Sequence, residues 1–242
     1  MSLVFSYNYS PNFSTYRRIS KSIKFIVIHY TGMSSQSKAI KRLIDEDSKV
    51  SCHFFIKKNG EVILMVPEKY TAWHAGISNW GKYSSLNKNS IGIEIHNTGH
   101  DNKYESFNKK QINSLIKLCL YLKKKYKIKN KNIVGHSDIS YSRKKDPGEK
   151  FPWNNLAQKK LSVWHNLNDK TLRKLRKISI HKKNKNLFFI NLKKFGYYVQ
   201  NNIKKKNKNY LIKAFQRRFR NQLIDGKIDK ECYEISKKLS IL

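Results

Sequence analysis

Four side chains in this lysine-rich chain are placed where they could do chemistry. His29 closes an apolar run, IKFIVIHYTG, and Glu94 lies inside a second one, SIGIEIHN. His136 follows a third run, KNIVGHSD, and Asp146 comes ten positions later in the loop GHSDISYSRKKDPGEKFPW. A carboxylate within a buried strand is costly unless another group compensates for it. These positions therefore suggest a shared site at the ends of the apolar segments.

Two histidines and one aspartate could serve as three ligands of a metal ion. Three protein ligands that leave a fourth position for water are typical of catalytic rather than structural zinc. The spacing alone also allows a plainer interpretation. A histidine at a strand end is more often a hydrogen-bonded core residue, and a lone Asp-Pro-Gly step is more often a turn. Neither HExxH nor CxxC supports the metal locally.

The surrounding segments predict the elements that would carry these residues. Buried strands are predicted at 23–32, 90–97 and 131–138, a hairpin at 52–66 around Asn59-Gly60, and helices at 35–47 and 108–126. Strands that alternate with helices are typical of an α/β layered fold around a central sheet. In such a sheet, neighbouring strand ends can bring the four side chains together.

The chain after residue 165 has a different composition. Residues 166–187 are rich in lysine and lack glycine, which predicts a basic linker between a domain at 1–165 and a module at 188–242. Within that module, apolar residues at helical spacing predict two helices separated by a turn at Asp225-Gly226. We therefore expect a small C-terminal helical module.

The composition limits the class of protein. The formal net charge is +35, which fits either a polyanionic partner or the base composition of an AT-rich genome. Lysine greatly outnumbers arginine, which favours the second explanation, because arginine is preferred for bidentate phosphate contacts. The cysteines, Cys52, Cys119 and Cys232, are widely spaced and are predicted to be reduced core residues.

The sequence also predicts where the protein works. No apolar run approaches the roughly 18–20 residues that a membrane span needs. The N-terminal residues MSLVFSYNYSPNF lack a basic head followed by an apolar stretch. We expect a cytoplasmic protein, with a periplasmic or wall-associated location as the alternative, and we expect a monomer.

Five segments in fixed order carry a family resemblance. They are FIVIHYTG, SCHFFIKKNGEV, YTAWHAGISNW, NSIGIEIHNTGH and IVGHSDISYSRKKDPGEKFPW. Together they resemble the zinc-dependent N-acetylmuramoyl-L-alanine amidases, which include anhydromuramyl-peptide amidases and peptidoglycan recognition proteins. The match covers about residues 20–160. More loosely, AFQRRF followed by DGKID resembles a three-helix peptidoglycan-binding domain.

The resemblance implies a fold and a reaction. The fold is α/β, with a mainly mixed central sheet flanked by helices and the C-terminal helical module added. The reaction is hydrolysis of the amide between N-acetylmuramic acid, or its anhydro form, and L-alanine. The partner is peptidoglycan or its muropeptides, and no specific nucleic acid is expected.

The resemblance also implies a role for each site residue. It makes His29, His136 and Asp146 the Zn²⁺ ligands, Glu94 the catalytic acid/base and Lys144 the oxyanion stabiliser. Expected substrate contacts are Tyr30, Trp73, His74 and Asn97. Two alternatives remain open: a non-catalytic peptidoglycan-binding protein, which the intact ligand set disfavours, and a basic nucleic-acid-binding protein, which rests on charge alone.

Overall fold

A computed structural model describes residues 4–242 of the chain. Its main sheet has six strands in the order β1-β5-β4-β9-β3-β10. The strands are β1 (Ser6–Tyr7), β2 (Phe13–Ser14), β3 (Phe25–Tyr30), β4 (Phe54–Ile56), β5 (Val62–Leu64), β6 (Thr71–Ala72), β7 (Asn79–Trp80), β8 (Tyr83–Ser84), β9 (Ser90–Ile95) and β10 (Ile133–Gly135). Only β4 and β5 pair antiparallel within this sheet; its other pairs are parallel. The predicted mixed sheet and the hairpin at Asn59-Gly60 are confirmed.

Eight α-helices surround the sheets in the described part of the chain. They are α1 (Gln36–Ile44), α2 (Lys109–Tyr126), α3 (His136–Ile139), α4 (Trp153–Gln158), α5 (Asp169–Leu175), α6 (Lys182–Phe195), α7 (Lys205–Phe219) and α8 (Lys230–Leu239). The longest, α2, begins with a capping box. There the Asn108 side chain accepts from the Gln111 N–H, and the Gln111 side chain accepts from the Asn108 N–H.

The period-2 alternation of the strands divides the core between the two faces of the sheet. On one face, Ile26, Ile28, Ile91 and Ile93 pack against the apolar stripe of α2. On the other face, Phe55 and Ile63 lie under α1, and Phe25, Val27 and Val134 lie under the C-terminal helices. His29 and Glu94 also lie on this second face, because both follow the same alternation. They lie between the part covered by α1 and the part covered by the C-terminal helices.

The C-terminal helices share one core with the sheet. Phe188, Leu192 and Phe195 of α6 and Phe215 and Phe219 of α7 join the cluster that contains Phe25, Val27 and Val134. The segment 166–187, predicted as a basic linker, holds α5 and the beginning of α6. Asn168 caps α5, and the buried Leu172 joins the same core. The domain boundaries stay a prediction, although the packing is continuous across them.

Cys52, Cys119 and Cys232 are free and buried, as predicted. Among residues 4–242, no helix combines the length and the apolar character needed to cross a bilayer.

Candidate active site

Three buried donor atoms converge at one edge of the main sheet. His29 is near the end of β3, and His136 begins α3 directly after β10, which is the parallel neighbour of β3. Their Nδ1 atoms are 2.9 Å apart, and Asp146 Oδ2 is 3.1 Å from each. Parallel strands end at the same edge, so residues separated by more than a hundred positions meet there.

This donor set fits a metal ion. Four donors about 2.0 Å from zinc are separated by roughly 3.3 Å at the edges of a tetrahedron, and the three atoms here are close to that spacing. His136 Nε2 is 3.1 Å from the carbonyl oxygen of Ala75, an acceptor only, so this nitrogen carries the proton. Nδ1 is then free to bind a cation, and such an outer hydrogen bond is typical of metal-bound histidine.

His29 has a corresponding outer hydrogen-bond partner, the ring of His74. Its Nδ1 is 3.0 Å from His29 Nε2, and its Nε2 is 3.1 Å from Ser90 Oγ, whose proton goes to the carbonyl of Leu86. The consistent assignment has His29 Nε2–H donating to His74, which leaves His29 Nδ1 unprotonated. Sequence reasoning expected His74 to contact substrate. In the structure His74 lies at the cavity wall and is hydrogen-bonded to His29, a candidate metal ligand.

The electrostatics favour a neutral His29 imidazole beside an ionised Asp146 carboxylate. Burial, together with the neighbouring His136 ring, lowers the pKa of His29 to about 4. Burial opposes ionisation of Asp146, but the His136 and His29 rings outweigh it and hold the Asp146 pKa well below its usual range. These are the protonation states that a cation requires of its ligands.

Glu94 lies beside the converged donors. It is the register partner of His29 across β3 and β9, so both side chains point to the same face. Burial and then repulsion by Asp146 raise the pKa of Glu94 to about 8, while Lys144 acts in the opposite direction. Within the described residues, Glu94 Oε2 is a shielded oxygen without a hydrogen-bond partner. An orphaned buried oxygen next to three donors is a place for a bound water or substrate group.

These groups face a cavity of about 510 Å³. Tyr30, Trp73 and Lys144 line it. The predicted roles, substrate contact for Tyr30 and Trp73 and oxyanion stabilisation for Lys144, stay predictions. The Tyr30 hydroxyl is also 2.7 Å from His100 Nδ1, and Trp73 Nε1 donates to Ser14 Oγ over 3.3 Å.

Asn97 is placed differently from the other predicted substrate contacts. It is buried, its Nδ2 donates to the carbonyl of Glu105 and its Oδ1 accepts from the Gly99 N–H. Its side chain therefore supports the loop that follows β9.

Sequence reasoning missed two arginines of the cavity wall. Arg143 lines the cavity while its Nη2 donates to the carbonyls of Ala75 and Ile77, and Arg42 lines it from α1. Arg143 stands next to Lys144 in the quoted loop, so proximity could have suggested it. Nothing local identifies Arg42, because it lies on α1, far in the sequence from the loop that carries Arg143.

Comparison with known proteins places this geometry in a family. A family model described as N-acetylmuramoyl-L-alanine amidase matches residues 19–149, which contain all the site residues discussed above. The amidase AmiD of Escherichia coli K12 is 34% identical over 229 residues, covering 90% of this chain and 82% of AmiD. The 1,6-anhydro-N-acetylmuramyl-L-alanine amidase AmpD of Haemophilus influenzae is 40% identical over 106 residues, and the match spans 55% of that protein.

Solved structures extend the similarity to the C-terminal helices. AmiD of E. coli, in complex with the substrate anhydro-N-acetylmuramic acid-L-Ala-D-gamma-Glu-L-Lys, has a TM-score of 0.78 at 33% identity, over 90% of this chain and 88% of that one. AmpDh3 of Pseudomonas aeruginosa, in complex with anhydromuramic pentapeptide, has a TM-score of 0.78 at 28% identity, over 98% and 97%. The predicted amidase fold is thus confirmed, and the chain belongs to the N-acetylmuramoyl-L-alanine amidase family.

Proposed function

We propose that this amidase cleaves the amide bond between the lactyl group of anhydro-N-acetylmuramic acid and L-alanine in soluble muropeptides. One observation carries the proposal: three metal-type donors and a Glu94 oxygen without a hydrogen-bond partner among residues 4–242 face the same cavity. The anhydro sugar is suggested by the molecules bound to AmiD and AmpDh3 in their solved complexes.

The metal in this proposal is zinc, held by His29, His136 and Asp146. Two imidazoles and one carboxylate suit zinc better than calcium or magnesium, which prefer all-oxygen sites. When bound, zinc supplies a Lewis acid for the scissile carbonyl and lowers the pKa of its water to about 7.

Glu94 and Lys144 contribute the remaining chemistry. A carboxyl group whose pKa is raised toward the working pH can both take up and release a proton. Glu94 therefore receives the proton of the attacking water and delivers one to the departing amine of L-alanine. The Lys144 ammonium group stabilises the developing oxyanion, and one such donor is typically worth about 3–4 kcal/mol.

The charge of the cavity wall supports an acidic peptide as substrate. The cavity is lined by four basic side chains, those of Arg42, Arg143, Lys144 and Lys145. In the described part of the chain, Asp101 is the one acidic residue of the lining besides Glu94 and Asp146. Carboxylates of a stem peptide would be attracted there, and arginine can bind them through two parallel hydrogen bonds. A specific nucleic-acid function has no comparable support.

Three further predictions belong to this proposal. Residues 188–242 bind peptidoglycan, the protein acts as a monomer, and it works in the cytoplasm, with a periplasmic or wall-associated location as the alternative. The basic composition of the module fits a polyanionic wall polymer.

The decisive experiment is mass spectrometry of purified anhydro-muropeptides before and after incubation with the protein. We expect free stem peptide to appear, about one zinc per chain, and loss of activity on chelation. Glu94→Gln should retain zinc and lower kcat by at least about 10²-fold, and Lys144→Ala should lower kcat by about 10²- to 10³-fold. Glu46→Gln on the exposed surface is the matched control. Wild-type turnover by both site variants would contradict the assigned roles.

A further inference from the structure

The loop that carries His136, Lys144 and Asp146 is tied to the C-terminal helices by a buried ion pair. We call residues 136–149 the ligand loop. Its Asp138 is 1% exposed. Asp138 Oδ2 accepts from the Gly135 N–H over 2.8 Å and from Arg218 Nη1 over 2.5 Å, and Asp138 Oδ1 accepts from the Tyr197 hydroxyl over 2.6 Å. Arg218 belongs to α7, and Tyr197 follows α6.

Arg218 also contacts three residues of the predicted amidase domain, residues 1–165. Its Nη2 donates to the carbonyl of Ile133 and to Ser162 Oγ, each over 3.2 Å, and its guanidinium lies 4.2 Å from the ring centre of Trp153. Burying an ion pair costs desolvation energy that the attraction often fails to recover, so such a pair is weak support for stability alone. A planar group with several fixed donors does, however, select one arrangement of its partners.

Two more contacts fasten the ligand loop to the same helices. Tyr141, in the middle of the loop, donates its hydroxyl to the carbonyl of Tyr198 over 3.1 Å. At the end of the loop, the carbonyl of Glu149 accepts from Asn221 Nδ2 over 3.0 Å. The loop is thus attached near its beginning, middle and end to residues that lie after position 195.

We propose that Arg218 and Tyr197 are positioning residues for His136, so that the C-terminal helices form part of the catalytic unit. Asp138 lies within one turn of His136, and its carboxylate also accepts a hydrogen bond from the N–H of Gly135, the residue before His136. Arg218 and Tyr197 fix that carboxylate from two sides, and the turn that presents the His136 ring is fixed with it. The activity and zinc-affinity arms of the following test rest on the proposed function, whereas the hydrogen-exchange arm does not.

The test uses the full chain with conservative substitutions. Arg218→Lys keeps the charge but loses the planar fork, and Tyr197→Phe removes one hydroxyl from Asp138. The control is Arg176→Lys, which weakens an Arg-carboxylate pair between a partly buried arginine and the buried Glu231 of α8. There Arg176 Nε and Nη2 donate to Glu231 over 2.7 and 2.8 Å. All proteins are compared at a temperature at which thermal unfolding shows each to be folded.

Three measurements separate positioning from general stability. The first is hydrogen exchange of the metal-free protein at the Ser137 amide, which donates to the carbonyl of Asp146 over 2.8 Å. The second is zinc affinity by chelator competition, and the third is kcat and KM on a soluble anhydro-muropeptide. For Arg218→Lys and Tyr197→Phe we expect faster exchange, zinc affinity lower by about 10-fold or more, and kcat reduced more than KM is raised.

The control Arg176→Lys should leave all three quantities at wild-type values. Wild-type exchange and wild-type zinc affinity in both Arg218→Lys and Tyr197→Phe would overturn the proposal, whatever the activity. Absence of cleavage by the wild-type protein would instead count against the proposed function, because exchange and zinc affinity report on the loop without any substrate.

Discussion

Substitution of Gly92 by alanine should damage the metal site without touching a ligand. Gly92 lies in β9, and a Cβ built there would meet the ring of His74, with His74 Cδ2 and Nδ1 both at 2.6 Å. The Cγ atom of the ring is closer still, and ordinary contact begins near 3.4 Å, so the ring must move by about 1 Å. Added atoms in a well-packed core typically cost about 1–3 kcal/mol.

The His74 ring is held by contacts with three neighbouring side chains. It is held by His29 Nε2 at 3.0 Å and by Ser90 Oγ at 3.1 Å, and the His53 ring packs against it edge-on. A shift of about 1 Å directed away from His29 would lengthen the 3.0 Å His29–His74 contact beyond hydrogen-bond range. Loss of such an outer partner typically lowers metal affinity about 10- to 100-fold. We therefore expect Gly92→Ala to bind zinc about 10- to 100-fold more weakly.

The assay is zinc affinity by chelator competition, paired with urea unfolding of the metal-free protein. Ile91→Val, on the opposite face of the same strand, is the control, since it should cost about 1 kcal/mol without reaching His74. In Gly92→Ala/His74→Ala, the overlap is removed, so stability should recover relative to Gly92→Ala while zinc affinity stays low. If Gly92→Ala binds zinc as tightly as Ile91→Val does, the proposed coupling through His74 is refuted.

Two further predictions concern pH and the C-terminal helices. In the metal-free protein, burial raises the pKa of Glu94 from 4.5 to about 8, so the folded state holds a proton that the unfolded state releases. The contribution of Glu94 to stability should therefore fall as pH rises from about 4.5 to 8, by a few kcal/mol in all. Glu94→Gln should lack this contribution, so the difference in unfolding free energy between the two proteins should change between pH 5 and pH 9. Urea unfolding that finds the same difference at both pH values would contradict the prediction. If residues 188–242 provide a specific wall-binding groove, the protein should pellet with insoluble sacculi above about 0.5 M salt, where exposed charges are strongly screened. Complete release into the supernatant would show that charge attraction alone holds the protein to the sacculi.

The sequence was sufficient for the elements that local pattern controls. Apolar β-branched runs predicted β3, β9 and β10, and the Asn59-Gly60 step predicted the hairpin of β4 and β5. Each of these features depends on residues close together in the chain, where side-chain period and turn geometry determine the outcome. The ordered motifs predicted the amidase family, which the comparisons confirmed.

Only the tertiary structure determined how distant segments meet. The motif around His74 gave no indication that this ring hydrogen-bonds His29, because that contact depends on how a loop folds back over the sheet. Likewise, the Arg218–Asp138 pair joins residues eighty positions apart. The local sequence pattern indicates which side of a helix is apolar, but it does not indicate which other part of the protein that side will pack against. The sequence therefore determined the family and the candidate ligands, and tertiary packing determined which other side chains hold those ligands in place.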